Sequence, residues 1–174
     1  ALGKLMLAII VALPSLLVAP PFAITRTPNA RSVIRMDEGS VDVQRFLGDL
    51  EFLGPVRFVV VGPGAILEAV GSFENLRMNE TPKGTLATVS SEDNAFECHV
   101  RCNEVTEAQF VCKESEEKRP MYIIRLLSAT GDSLLSAILH SEGGEYEEGA
   151  VDFWQGLRQR FGDTVTLTKD PATA

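Results

Sequence analysis

The chain has 174 residues, enough for one domain and a short extension, and 45% of them are hydrophobic, which argues against disorder outside the ends. The formal net charge is −8, but Lys4, Arg26, Arg31 and Arg35 all fall within residues 1–36, where there is no acid. The remainder therefore sets 24 acidic against 12 basic residues, a net of −12. A body that acidic repels phosphate and gains nothing from counterion release, which argues against nucleic acid and anionic membrane surfaces as partners.

Lys4 is followed by an apolar run over residues 5–19, interrupted by Pro14. A run of 15 residues is shorter than the span of about 20 that crosses a bilayer and fits the hydrophobic core of a signal peptide. Residues 24–36 then carry Arg, Ser and Thr without acids, the composition of a transit peptide. The two segments together resemble the bipartite leader of plastid proteins in algae with complex plastids. Phe22 stands where such leaders carry a phenylalanine, although Pro21 before it is a poor cleavage neighbour. Plain secretion with a mature N-terminus near Ile24 and a retained membrane anchor are the competing readings. The expected organisation is a removable targeting segment over 1–36, a single domain over 37–167 and a disordered tail over 168–174. No later apolar run reaches that length, so the mature domain is expected to be soluble.

Within the domain, Ser40 is a candidate N-cap, and Val43, Phe46, Leu47, Leu50 and Leu53 follow at helical spacing up to Gly54. Residues 56–61 are rich in β-branched side chains, Gly62-Pro63-Gly64 is a turn, and residues 65–70 read as the returning strand of a hairpin. The polar stretch 74–93 reads as a loop with one short strand near residues 86–89. Residues 95–101 alternate, with Phe96, Cys98 and Val100 on one face and Glu97, His99 and Arg101 on the other. Cys102-Asn103 can turn the chain, and residues 105–112 alternate again, with Ala108, Phe110 and Cys112 on one face. A charged connection over 113–119 leads to an apolar central strand, 121–127. A strong turn at 129–132 and a partner strand, 134–140, follow. An acidic loop over 141–149 precedes a last helix with Ala150, Trp154, Leu157 and Phe161 on one stripe and Gly162 as its stop. Connections this short require antiparallel pairing. The predicted class is therefore α+β, a curved antiparallel sheet of about seven strands flanked by an N-terminal and a C-terminal helix.

The chain has no Gly-x-Ser-x-Gly, no phosphate-binding loop and no His-Glu-x-x-His, and Gly62-Pro63-Gly64 lies between two strands, so it does not open a dinucleotide site. Cys98, Cys102 and Cys112 are too few for a disulfide framework. Cys98-x3-Cys102 around His99 lacks the closed set of about four ligands that zinc requires, so the cysteines read as small core residues or free thiols. Two histidines remain: His99 on the polar face of its strand, and His140 at a strand end. Tyr122 and Trp154 read as core.

Residues 54–61 (Gly-Pro-Val-Arg-Phe-Val-Val-Val), Ala65-Ile66-Leu67-Glu68 and Gly71 resemble the first hairpin of the ChuX/HutX-type haem-utilisation carriers, which are similar to one half of the larger HemS/ChuS proteins. His99-Val100-Arg101, the strands 108–111, 121–127 and 134–139, the turn 129–132 and the helix 153–161 correspond in order and spacing, so the resemblance covers roughly residues 45–162. It implies a haem-binding protein with a curved antiparallel sheet that commonly dimerises, and it puts His99 where the family has a histidine near bound haem. There a neutral imidazole could ligate iron or hydrogen-bond a propionate. The family's aromatic, Gly-rich stretch before that histidine is replaced by the polar residues 76–94, and its Arg-Pro-Phe-like element by Lys113-Glu114-Ser115-Glu116. Two functions follow. One is a non-enzymatic haem or tetrapyrrole carrier in a plastid. The other is a non-catalytic subunit or assembly factor of a thylakoid complex such as a photosystem, built on a scaffold that has lost its ligand. A haem-degrading enzyme is the third and least supported reading.

Overall fold

A computed structural model describes residues 40–91, 93, 95–114 and 119–168. The expected targeting segment, 1–36, lies outside the described residues, as do residues 169–174 of the expected tail.

Strand β1, Val41–Asp42, runs directly into helix α1, Val43–Gly48. The N-cap is Asp42 and not Ser40: its Oδ1 accepts the backbone N–H of Arg45 at 2.9 Å. The helix is also shorter than the apolar spacing suggests, and the chain finishes as a separate 3-10 turn, Glu51–Leu53. The stripe itself holds, because Val43, Phe46, Leu47, Leu50 and Leu53 are all buried. Gly54, at φ +75°, then turns the chain into β2, Val56–Val61, which pairs antiparallel with β3, Ile66–Gly71.

The segment expected to be a loop with one short strand forms two strands. Strand β4, Arg77–Thr81, pairs with β5, Gly84–Ser90, and β5 with β6, Glu97–Arg101. The turn between β4 and β5 is built by Thr81, whose hydroxyl donates to the Gly84 carbonyl at 2.6 Å, and by Gly84 itself at φ +108°. Strand β4 escapes a hydrophobicity pattern because Arg77, Asn79 and Glu80 are exposed.

A 3-10 turn, Cys102–Glu104, leads to β7 (Glu107–Lys113), β8 (Met121–Leu127) and β9 (Ser133–Leu139). The acidic loop folds into a small hairpin, β10 (Ser141–Glu142) with β11 (Glu145–Tyr146), before helix α2, Ala150–Phe161. Strand β12, Thr164–Thr168, completes the domain and was not evident in the sequence.

The main sheet has seven strands in the order β1-β12-β7-β8-β9-β2-β3, and β4-β5-β6 form a second sheet. Every pairing in the main sheet is antiparallel except β1 with β12. One register line, Phe110–Ile124–Ala137–Phe58, crosses four strands on a single buried face. At the Phe110 end the helices cover it. Trp154 meets Phe110 edge-on with ring centroids 5.7 Å apart, and Phe46 meets it at 6.2 Å. At the Phe58 end the second sheet covers it, with Phe96 stacked on Phe58 at 5.0 Å. The architecture is therefore the α+β class read from the sequence, with the helices at one end of the buried face and the small sheet at the other. No helix among the described residues is long and apolar enough to cross a membrane.

Candidate functional site

Strand β6 is one of the two outer strands of the small sheet, and its residues share a cleft with residues of β2 and β9. Strand alternation turns His99 and Arg101 to one side and Cys98 and Val100 to the other. The cleft, of about 330 Å³, is lined by Cys98, His99, Val100, Arg101 and Glu104 on one wall and by Val60, Leu134 and Leu135 on the other. The opposing wall is apolar, and the polar groups gather at the β6 side.

The His99 ring is about half exposed, and both of its nitrogens face named partners. Nδ1 lies 2.9 Å from the hydroxyl of Thr88, the residue paired with it on β5. Thr88 is only 3% exposed, and its oxygen also accepts from the side-chain amide of Asn79 at 3.0 Å. On the other side, Nε2 is 3.8 Å from the Glu97 carboxylate. A parallel bond ties Arg77 to Ser90 at 2.8 Å, so the outer face of the small sheet is a ladder of polar side chains. The sequence reading of 74–93 as a loop with one short strand near 86–89 includes Thr88 but extends neither to Ser90 nor to the pairing strand β4. The signal available was the period-two spacing of Arg77 with Asn79 and of Thr88 with Ser90.

Burial holds the Cys98 thiol above its ordinary pKa, so at neutral pH the cleft contains a neutral thiol, which is a weak metal ligand and a weak nucleophile. Burial raises the Cys102 thiol as well, and all three cysteines are free. Among the described residues no group of three or more His, Cys, Asp and Glu side chains is placed to hold a metal ion.

His140 does not join His99. It follows β9, its backbone N–H donates to the Pro55 carbonyl at 2.9 Å, and it lines a separate cleft of about 520 Å³ with Val70, Tyr146 and three glutamates, Glu142, Glu145 and Glu147. That cleft is the larger of the two, but its carboxylates would repel an anionic ligand. Tyr122 and Trp154 pack against each other with ring centroids 5.1 Å apart, as core residues do.

Several solved structures share the fold. A protein of Agrobacterium tumefaciens superposes with a TM-score of 0.57 at 17% identity, covering 70% of this chain and 69% of its own. ChuX superposes at 0.56 with 14% identity, covering 69% and 74%, and a second ChuX structure is described as a heme binding protein. The holo form of PhuS, a heme-binding protein from Pseudomonas aeruginosa, superposes at 0.54 with 17% identity, and ChuS, an E. coli heme oxygenase, at 0.54 with 18%. This chain covers only 37% and 35% of those two, with 76% of its own length matched in each case. No curated protein matches the chain. The model of the haem utilisation ChuX/HutX family matches residues 36–157, the span that contains both walls of the His99 cleft, and the chain belongs to that family.

Proposed function

We propose that this chain binds haem or a related tetrapyrrole at the His99 cleft and carries it without transforming it, in a plastid reached through residues 1–36. The observation that carries the reading is an imidazole held by a buried threonine at the mouth of an apolar-walled cleft. The residues fit such a group: Val60, Leu134 and Leu135 suit a flat apolar ring, while His99 and Arg101 suit its carboxylates. At about 330 Å³ the cleft is at the low end for ligand pockets, roughly 300–1,000 Å³, so it would receive one edge of a macrocycle and leave the rest outside. A carrier and not an enzyme is favoured by the chemistry at the cleft, where the thiol is neutral and the nearest acid–base pair is His99 with Glu97. Titrating the full chain with haem and following absorbance should give a saturable Soret shift at one haem per chain. Absence of saturation overturns the reading.

The same reading includes a homodimer. Among the described residues strand β3 is an unpaired edge of the main sheet, and Ile66 and Leu67, pointing to opposite faces of it, are 64% and 63% exposed. Such edges are normally paired or blunted, and antiparallel pairing of two β3 strands would give a two-fold dimer. The competing occupant is a thylakoid protein complex, which the same exposed edge also suits. Co-migration with such complexes on a native gel would favour it, and a two-chain mass by sedimentation would favour the dimer.

A further inference from the structure

We infer that His99 meets the bound tetrapyrrole as a hydrogen-bond donor to a carboxylate and not as a ligand of its iron, and that Thr88 sets this role by fixing the proton on Nε2. The inference rests on the carrier reading and specifies what the histidine does within it.

The Thr88 hydroxyl has one hydrogen to give. Its oxygen already accepts from Asn79, and Thr88 is buried, so water does not compete for the remaining hydrogen. His99 Nδ1, 2.9 Å away, is the acceptor within reach. A hydroxyl that donates to Nδ1 requires that nitrogen to be bare, which places the imidazole hydrogen on Nε2. The surroundings of Nε2 agree, because the Glu97 carboxylate, which can only accept, lies 3.8 Å from it. A neutral imidazole with hydrogen on Nε2 has no lone pair there for a metal, and its Nδ1 lone pair is taken by Thr88. Reversing the network would require the Asn79 amide to turn over and offer its oxygen to the Thr88 hydroxyl hydrogen in place of its NH2. Nε2–H can instead donate to a ligand carboxylate that displaces Glu97, whose own carboxylate stands 3.8 Å away. Arg101, two residues along on the same face and lining the same cleft, adds the positive charge that a propionate requires.

Two measurements on the full chain test this. Long-range 15N–1H correlation spectra of the ligand-free protein should show His99 protonated at Nε2, and a Thr88→Val variant should lose that preference. A wild-type His99 protonated at Nδ1 overturns the inference. Haem and haem dimethyl ester, which lacks free carboxylates, are then compared as ligands. The wild type should bind the free acid about ten-fold more tightly than the ester, as a charge-assisted hydrogen bond is worth. His99→Ala should lower that ratio several-fold, leaving the share that Arg101 supplies, with the iron's spin-state spectrum unchanged, and His99→Gln, which keeps a donor, should restore part of it. A His99→Ala variant with the ratio intact and the iron spectrum altered makes His99 a ligand and overturns the inference. A wild type that binds neither compound overturns the carrier reading, and this inference with it, whatever the tautomer.

Discussion

A methyl group added at Gly71 would sit 2.8 Å from the Phe96 ring and 3.3 Å from Phe58, the two aromatics that join the main sheet to the small one. Gly71→Ala should therefore cost about 1–3 kcal/mol, as overpacking does, visible as a lower urea midpoint. Part of that cost should reach His99, since Phe96 immediately precedes its strand. At Cys98 the relevant property is ionisation. With its thiol held protonated by burial, alkylation by iodoacetamide should be slower than for a free thiol at neutral pH and should accelerate as pH rises past the ordinary thiol range, about 8.5. Fast alkylation at pH 7 would show that the thiol is not held neutral. That His99 lies on the polar face of its strand followed from alternation, while its candidacy as a contact residue came only from the family resemblance; the pairing of Thr88 and Asn79 with it was not legible. Asn79 sits on β4, whose exposed residues are polar and read as loop, so the partner strand that brings it to Thr88 was not seen.

Among the elements, those with a long apolar run or stripe were legible, and those that are short or mostly polar were not. Strands β2 and β8 have the bounds their composition suggests, and α2 buries Ala150, Trp154 and Leu157, three of the four stripe residues. Trp154 stands 1% exposed between Phe110 and Tyr122, so Trp154→Ala should destabilise the domain by about 3–5 kcal/mol in chemical denaturation. Helix α1 was overextended because Leu50 and Leu53 keep the helical phase through a 3-10 turn, which periodicity does not distinguish from a continuous helix. Its cap is worth about 1 kcal/mol, so Asp42→Ala should lower stability by that amount and Asp42→Asn by less. Strand β12 was hidden by its length: five residues, with only Val165 and Leu167 buried, resemble the start of a tail.

For the molecule as a whole, burial raises the pKa of Cys98, Cys102 and Tyr146. A group whose pKa is higher in the folded state contributes stability that is fully present below its unfolded pKa and is lost as pH rises through the folded value. All three have this sign, so the urea midpoint should hold near neutrality and fall from about pH 8.5 upward, through the thiol and phenol ranges. A midpoint constant up to about pH 10.5 would show that these groups titrate as they do in the unfolded chain. The α+β class and the antiparallel pairing followed from short connections, but the parallel pair β1–β12 could not. It joins Val41 to Leu167 and Asp42 to Thr168, and no local pattern reports a contact over that separation.

That pair also fixes an order of events. Strand β12 lies between β1 and β7, so the first strand of the domain has no neighbour until the last one is available. A ribosome that has released everything up to α2 has released a chain whose sheet still lacks two of its seven strands. Closure then waits for Thr164–Thr168, and contacts this distant in sequence form slowly. Afterwards β1 and β12, the first and last strands described, lie side by side at one edge of a finished sheet.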